Sequence, residues 1–255
     1  MTHYRISIIG AGNLAWHLAQ ELEKADHLII EVFSRKLKNA RTLTSRLYDA
    51  VPIDKLNFSS SNAEVFIIAV TDDALPEVVS KIVLPENAVA AYTSGSFSLD
   101  SLNLKSHMGV FYPLQTFTKQ TGVNFKEIPI CIEALDETTE NVLSEIAKSI
   151  SKKVLFLNSE KRKALHLAAV FACNFTNHLL SNAKTILDRE GLEFSLLEPL
   201  IIETIEKALE FDPDKVQTGP AARRDKQLIN DQFKYLKKYP ELQKIYKSLT
   251  ESILK

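Results

Sequence analysis

The apolar run Ile6-Ser7-Ile8-Ile9 leads directly into Gly10-Ala11-Gly12-Asn13-Leu14-Ala15, and Leu14, Leu18 and Leu22 then recur four residues apart. This pattern predicts a strand, a glycine turn and the first turn of a helix. Gly10 permits the turn, Gly12 lets a ligand approach the backbone, and the unpaired N–H groups at the helix start attract negative charge. Ala15 stands where a third small residue allows close helix–strand packing. The constellation suits the pyrophosphate of a dinucleotide, with Gly10, Gly12, Asn13 and Leu14 as candidate contacts. An ordinary tight turn in an unrelated α/β protein is the alternative for so short a pattern.

The second predicted strand, 28–33, ends at Ser34-Arg35-Lys36. An acid at this point would accept hydrogen bonds from the adenine ribose of NAD; a hydroxyl and a guanidinium would hold the 2′-phosphate of NADP. Arg35, Lys36, Lys38, Arg41 and Arg46 occur here with no acid between them, so NADP is the expected cofactor and NAD the less favoured one. Glu31 would serve NAD if the strand ended earlier, and a solvated helix face is the other account of the basic run. Two further strands open at Val70-Thr71 and at Thr93-Ser94-Gly95-Ser96. Ligands lie beyond the carboxyl ends of parallel strands, which places Val70, Thr71 and Thr93 at the cofactor and Ser94 and Gly95 at a substrate. The stretch 93–96 also reads as an ordinary turn. Asp72 and Asp73 are expected to cap the next helix.

These residues need a scaffold, and the period of the apolar residues supplies one. Strands are expected at 5–9, 28–33, 65–70, 88–92, 108–112, 128–133 and 153–157, and helices at 13–24, 37–47, 73–80 and 136–150. Their alternation predicts an α/β fold, a doubly wound and mostly parallel sheet over 1–157, with the later strands as an antiparallel extension. From 158 to 255 only helices are expected, at 159–188, 194–211, 222–237 and 240–254, broken at Gly191, Pro213, Gly219-Pro220 and Pro240. Ser159 is the expected cap of the first. That helix is apolar around most of its circumference, which predicts wide burial, including against a second subunit.

His166, Asn174 and Asn177 fall near one face of this helix by the three-and-four spacing rule. An imidazole there could deliver a proton to a carbonyl or imine while hydride arrives, and Asn174 could orient the substrate. Asn177, Tyr112 and Gln115 are expected to line a cleft between the domains. Gly219 and Arg223, in a loop that opens a helix, would hold a carboxylate or phosphate. The competing account makes His166 and the asparagines hydrogen-bonded core residues and gives Asp225 the task of capping the helix or pairing with Arg223.

Bulk properties narrow the classes. With 45% hydrophobic and 25% charged residues, the 255-residue chain can bury a core. A net charge of −1 gives no reason to expect nucleic acid or a membrane surface as partner. No signal peptide pattern or membrane span is expected, Cys131 and Cys173 read as buried thiols in a reduced cytoplasm with a disulfide between them as the alternative, and no metal-ligand spacing is present.

The motifs IIGAGNLAWHLA, AYTSGS, VFYPLQTF, LHLAAVFACNFTNHL and TGPAARRD follow one another along the chain. In this order they resemble the Rossmann-like proteins that carry the C-terminal domain of unknown function 2520. That group is similar in architecture to pyrroline-5-carboxylate reductases, ketopantoate reductases and the 6-phosphogluconate dehydrogenase-like superfamily. The resemblance implies an NADP-binding domain, then an all-helical domain, in a homodimer built through the C-terminal helices; it supplies no substrate. Arg224 departs from the pattern, where glycine is common. Related dehydrogenases also place a lysine with the asparagine on the helix, whereas Lys161 and Lys163 lie a turn earlier here. Two functional classes follow: hydride transfer to or from a small, anionic carbonyl, imine or hydroxy compound, or a non-catalytic NADP(H) sensor. A deazaflavin in place of nicotinamide is the weaker third.

Overall fold

The computed structural model describes residues 2–101 and 107–255. Its chain alternates β1 (Arg5–Ile9), α1 (Asn13–Lys24), β2 (Leu28–Phe33), α2 (Leu37–Thr44), β3 (Val51–Ile53), β4 (Val65–Ile68), α3 (Leu75–Lys81) and β5 (Val89–Tyr92). There follow β6 (His107–Pro113), β7 (Ile130–Ala134), α4 (Glu137–Ile150) and β8 (Val154–Phe156). All eight strands form one sheet in the order β3-β2-β1-β4-β5-β6-β7-β8. Pairing is parallel except between β6 and β7. The expected antiparallel extension is therefore a single junction. The chain reverses after Pro113, where Leu114 N–H donates to Pro129 O at 2.8 Å, and β8 then runs parallel to β7.

β4 and β5 are buried along their whole length, which is why they read as unbroken apolar runs rather than alternating ones. The two-residue side-chain period sorts them into two cores. Ile6, Ile8, Val65 and Ile67 meet Leu18 and Leu22 of α1; Ile9, Phe66 and Ile68 meet Leu75, Val78 and Val79 of α3. Leaving β1 the chain winds outward to β2 and β3, then returns to β4 on the other side of β1. A crevice opens at such a reversal, at the carboxyl ends of β1 and β4.

The helices that follow are α5 (Ser159–Ala169), α6 (Thr176–Arg189), α7 (Glu198–Glu210), α8 (Lys226–Tyr235) and α9 (Pro240–Ile253). Between α5 and α6 the six residues Val170–Phe175 wind as a π-helix, where a continuous α-helix was expected. The chain divides into two compact units, Met1–Cys173 and Asn174–Lys255, so the first unit continues past 157 through α5. Within the second unit, α6, α7, α8 and α9 have no buried residue; Ala221 and Leu236 between them are the buried ones. Wide burial of the 159–188 helix is thus not met within one chain, where Leu167 is 58% exposed and Leu179 39%.

Several local expectations are corrected. Asn158, not Ser159, caps α5, accepting from Lys161 N–H at 3.0 Å, because Ser159 is engaged by Glu133 and Arg162. Asp72 makes no cap bond; its carboxylate accepts from the Ser96 hydroxyl instead. α8 begins at Lys226 rather than 222, since residues 219–224 close tight turns first, with Asp225 N–H donating to Pro220 O at 2.9 Å. Cys131 is buried, but Cys173 is exposed. Among the described residues no helix is long and apolar enough to cross a membrane, and no group of three or more His, Cys, Asp or Glu is placed to hold a metal ion.

Candidate functional site

The crevice between β1 and β4 is a cleft of about 450 Å³ lined by Gly10, Gly12, Asn13, Leu14, Ser34, Arg35, Val70, Thr71 and Thr93, among others. Sequence reasoning named each of these nine for a cofactor. Gly10 has φ +126°, and a Cβ there would collide with the Ala69 carbonyl, so only glycine fits between β1 and β4. A Cβ at Gly12 would meet nothing within 4 Å, which leaves the approach to its backbone open. α1 has no side-chain cap and no acid in its first turn, so its N–H groups stay available to an anion. Asn39 also lines the cleft and was missed; it lies among exposed polar residues with no pattern to mark it. Lys36 lies outside the lining, as the N-cap residue of α2.

Glu31 is held inside β2, opposite Val51 of β3. Its carboxylate accepts from the hydroxyls of Ser7 and Ser61, the latter at 2.9 Å. It is therefore tied back toward β1, and Ser34-Arg35 stands at the end of β2 with no acid in the cleft lining.

Beyond Thr93 the chain passes through Ser94 and Gly95 to a second cluster. The Tyr112 hydroxyl of β6 lies 2.9 Å from His166 Nδ1 of α5, and the rings meet edge to face. A Cβ on Gly95 would lie 2.7 Å from His166 Nδ1 and 2.8 Å from Tyr112 Cζ, so the absent side chain of Gly95 is what lets the pair close over this loop. Burial pushes the Tyr112 phenol up to about 12, with Cys131 adding to the rise, and the hydroxyl stays protonated at neutral pH.

Arg162, which sequence reasoning missed, organises this corner. It is fully buried, four residues before His166 and one turn away on the same helix. Its guanidinium donates to Ser94 O at 2.8 Å, Phe97 O at 2.7 Å and the Glu133 carboxylate at 2.9 Å. Ser94 Oγ in turn accepts from the N–H groups of Ser96 and Phe97, at 3.1 and 3.2 Å. The loop after β5 is thereby fixed to α5 and β7. The one available signal was the four-residue spacing from His166, concealed by the flanking Lys161 and Lys163.

The remaining candidates lie on other elements. Gln115 lines a separate hollow with Thr121, Asn124 and Glu127. Asn174 and Asn177 are exposed and belong to the second unit, Asn174 within the π-helix and Asn177 in the first turn of α6. Gly219 and Arg223 lie in the turns before α8, and Arg223 N–H donates to Gly219 O at 3.2 Å. Asp225 caps α8 through Leu228 N–H at 3.1 Å, so this helix start is satisfied by its own side chain.

A parallel sheet that reverses at β1/β4, with a glycine turn entering α1 there, defines a Rossmann-type dinucleotide-binding unit. Residues 1–115 match the Rossmann-like domain, and residues 128–253 match the domain of unknown function DUF2520. The second match begins ahead of β7, so it takes in β7, α4 and β8 as well as the helices. A Bacteroides fragilis structure designated an NADP oxidoreductase is 40% identical, aligned over 99% of this chain and 98% of its own, with TM-score 0.92. A Thermotoga maritima protein is 25% identical over 97% and 96% of the two chains, with TM-score 0.68. A pyrroline-5-carboxylate reductase from Coxiella burnetii shares the fold at 14% identity over 100% of both chains, with TM-score 0.56. No curated protein matches the sequence. The chain belongs to the family of Rossmann-like proteins with a DUF2520 domain.

Proposed function

We propose that this protein is an NADP-dependent oxidoreductase that transfers hydride to or from a small, anionic carbonyl, imine or hydroxy compound. The observation that carries the reading is the β1/β4 cleft: glycine turn and uncapped helix start at its centre, Ser34-Arg35 at the end of β2, and Glu31 engaged elsewhere. The designation of the Bacteroides fragilis relative supports it. When bound, NADPH supplies the hydride. The chain's own residues hold the 2′-phosphate through Ser34 and Arg35 and receive the pyrophosphate on the glycine turn. His166, held by Tyr112, gives or takes the proton that accompanies the hydride. Arg223, on its turn in the second unit, is the cation assigned to the substrate's anionic group.

We assign a homodimer on the same footing. Four helices with no buried residue, carrying Leu200 at 63% and Leu209 at 82% exposure, leave apolar surface that a second copy would cover.

The test is calorimetric titration with NADPH and, separately, NADH, followed also by the fluorescence of Trp16, the one tryptophan. Tighter NADPH binding that weakens on Arg35→Ala, with NADH little changed, is expected. Equal affinity for the two nucleotides removes the NADP assignment, and binding of neither overturns the dinucleotide reading.

A further inference from the structure

The segment after β6 folds back onto the glycine turn. Phe117 O accepts from the Asn13 side-chain amide at 3.0 Å, and Thr118 O accepts from His17 Nε2 at 2.7 Å. The Lys119 ammonium donates to Ala11 O at 3.3 Å. Three consecutive residues of one loop thus hold three points along the turn and the start of α1. The Phe117 ring anchors the loop against Phe125, with centroids 5.8 Å apart, and the Lys119 ammonium lies 5.0 Å from the Trp16 ring centroid.

Lys119 lines the hollow on the Trp16 and His17 side of α1 and is absent from the lining of the cofactor cleft. It therefore takes the Ala11 carbonyl from outside the cleft. In a trans peptide the C=O and the following N–H point in opposite directions. No cis peptide bond occurs among the described residues, so fixing Ala11 O outward aims Gly12 N–H at the cleft. A cation on the carbonyl also polarises that peptide and adds positive charge behind the N–H groups an anion would meet. Asn13 has its side chain committed to the same loop, which leaves its backbone N–H as the group offered to a ligand.

We propose that Lys119 is a positioning residue for the pyrophosphate of the dinucleotide, presetting the Ala11–Gly12 peptide from outside the cleft. This rests on the dinucleotide reading above. It gives the FYPLQTF motif and the two residues after it a task in cofactor binding.

The experiment titrates the wild-type protein, Lys119→Met and Lys119→Arg with NADPH and with adenosine 2′-monophosphate, which reaches the Arg35 end and has no pyrophosphate. Lys119 is exposed, and methionine keeps an apolar stem over Trp16. Lys119→Met is expected to raise the NADPH Kd several-fold, up to about tenfold, because the freed Ala11–Gly12 peptide must then be ordered as the pyrophosphate binds. Lys119→Arg should restore most of it, and the adenosine 2′-monophosphate Kd should be the same in all three. An unchanged NADPH Kd in Lys119→Met, equal weakening of both ligands, or no recovery with arginine overturns the proposal while leaving the dinucleotide reading intact. Wild-type protein that binds neither probe overturns both.

Discussion

Tyr112 and His166 are joined across the edge of the sheet, the phenolic oxygen 2.9 Å from Nδ1 and the ring planes 75° apart. A protonated phenol can donate to Nδ1 or accept from it; we expect it to donate, which puts the hydrogen of an uncharged His166 ring on Nε2. Two-bond 1H–15N correlation of the imidazole reads this directly: an Nε2–H signature in the wild type, shifting toward mixed tautomers in Tyr112→Phe. Gly95→Ala should disturb the same signature while Tyr112 is still present, and should cost about 1–3 kcal/mol by overpacking. A wild-type Nδ1–H imidazole would reject the assigned direction of the bond.

Arg162 and Glu133 form the buried ion pair of this corner, with Arg162 Nε enclosed and unpaired. Removing the guanidinium takes the Arg162 donor from the Ser94 carbonyl and leaves the Phe97 carbonyl to Tyr92 and the Glu133 carboxylate to Ser159. Arg162→Met is expected to lower unfolding stability in urea by about 3–5 kcal/mol, and Glu133→Gln by less, since the amide oxygen still accepts from Arg162. Equal, small losses would show that the loop after β5 is held by Ser94 and its backbone bonds alone.

Burial raises the phenols of both Tyr92 and Tyr112 from 10.0 to about 12. Between these values the unfolded chain releases protons that the folded chain retains, so stability present below pH 10 falls as pH rises toward 12. Tyr112→Phe should flatten that fall without altering the acid side of the profile. Denaturation midpoints measured from pH 8 to 12 give the comparison, and an unchanged alkaline slope would count against a buried, protonated Tyr112.

Arg224 adopts φ +56°, the left-handed region in which a side chain is strained. Glycine, which the resemblance leads one to expect here, would take this conformation without strain. Arg224→Gly is expected to stabilise the protein by about 1 kcal/mol or less, after the extra unfolded-state entropy of glycine is counted. Thermal melts of the two proteins decide the sign.

The sequence alone determined the fold class, because it rests on local period. β1, β2 and α1 carry their apolar spacing and glycine turn within a few residues, and nine lining residues of the cleft were legible, four from the glycine turn and five from strand ends. The same locality explains the failures. The π-helix at Val170–Phe175 is too short for its i to i+5 spacing to show in the residues, and Asp72 was read as a cap because Ser96 is remote in sequence. Tertiary structure decided what depends on partners far along the chain. It tied Glu31 back to Ser7 and Ser61, buried Arg162 against Ser94 and Glu133, and brought Tyr112 to His166 over Gly95. It also folded Phe117–Lys119 onto Ala11 and Asn13, over one hundred residues away. A hydrogen bond needs about 3 Å between its atoms, and no spacing rule along the chain fixes that distance between residues brought together only by the sheet order.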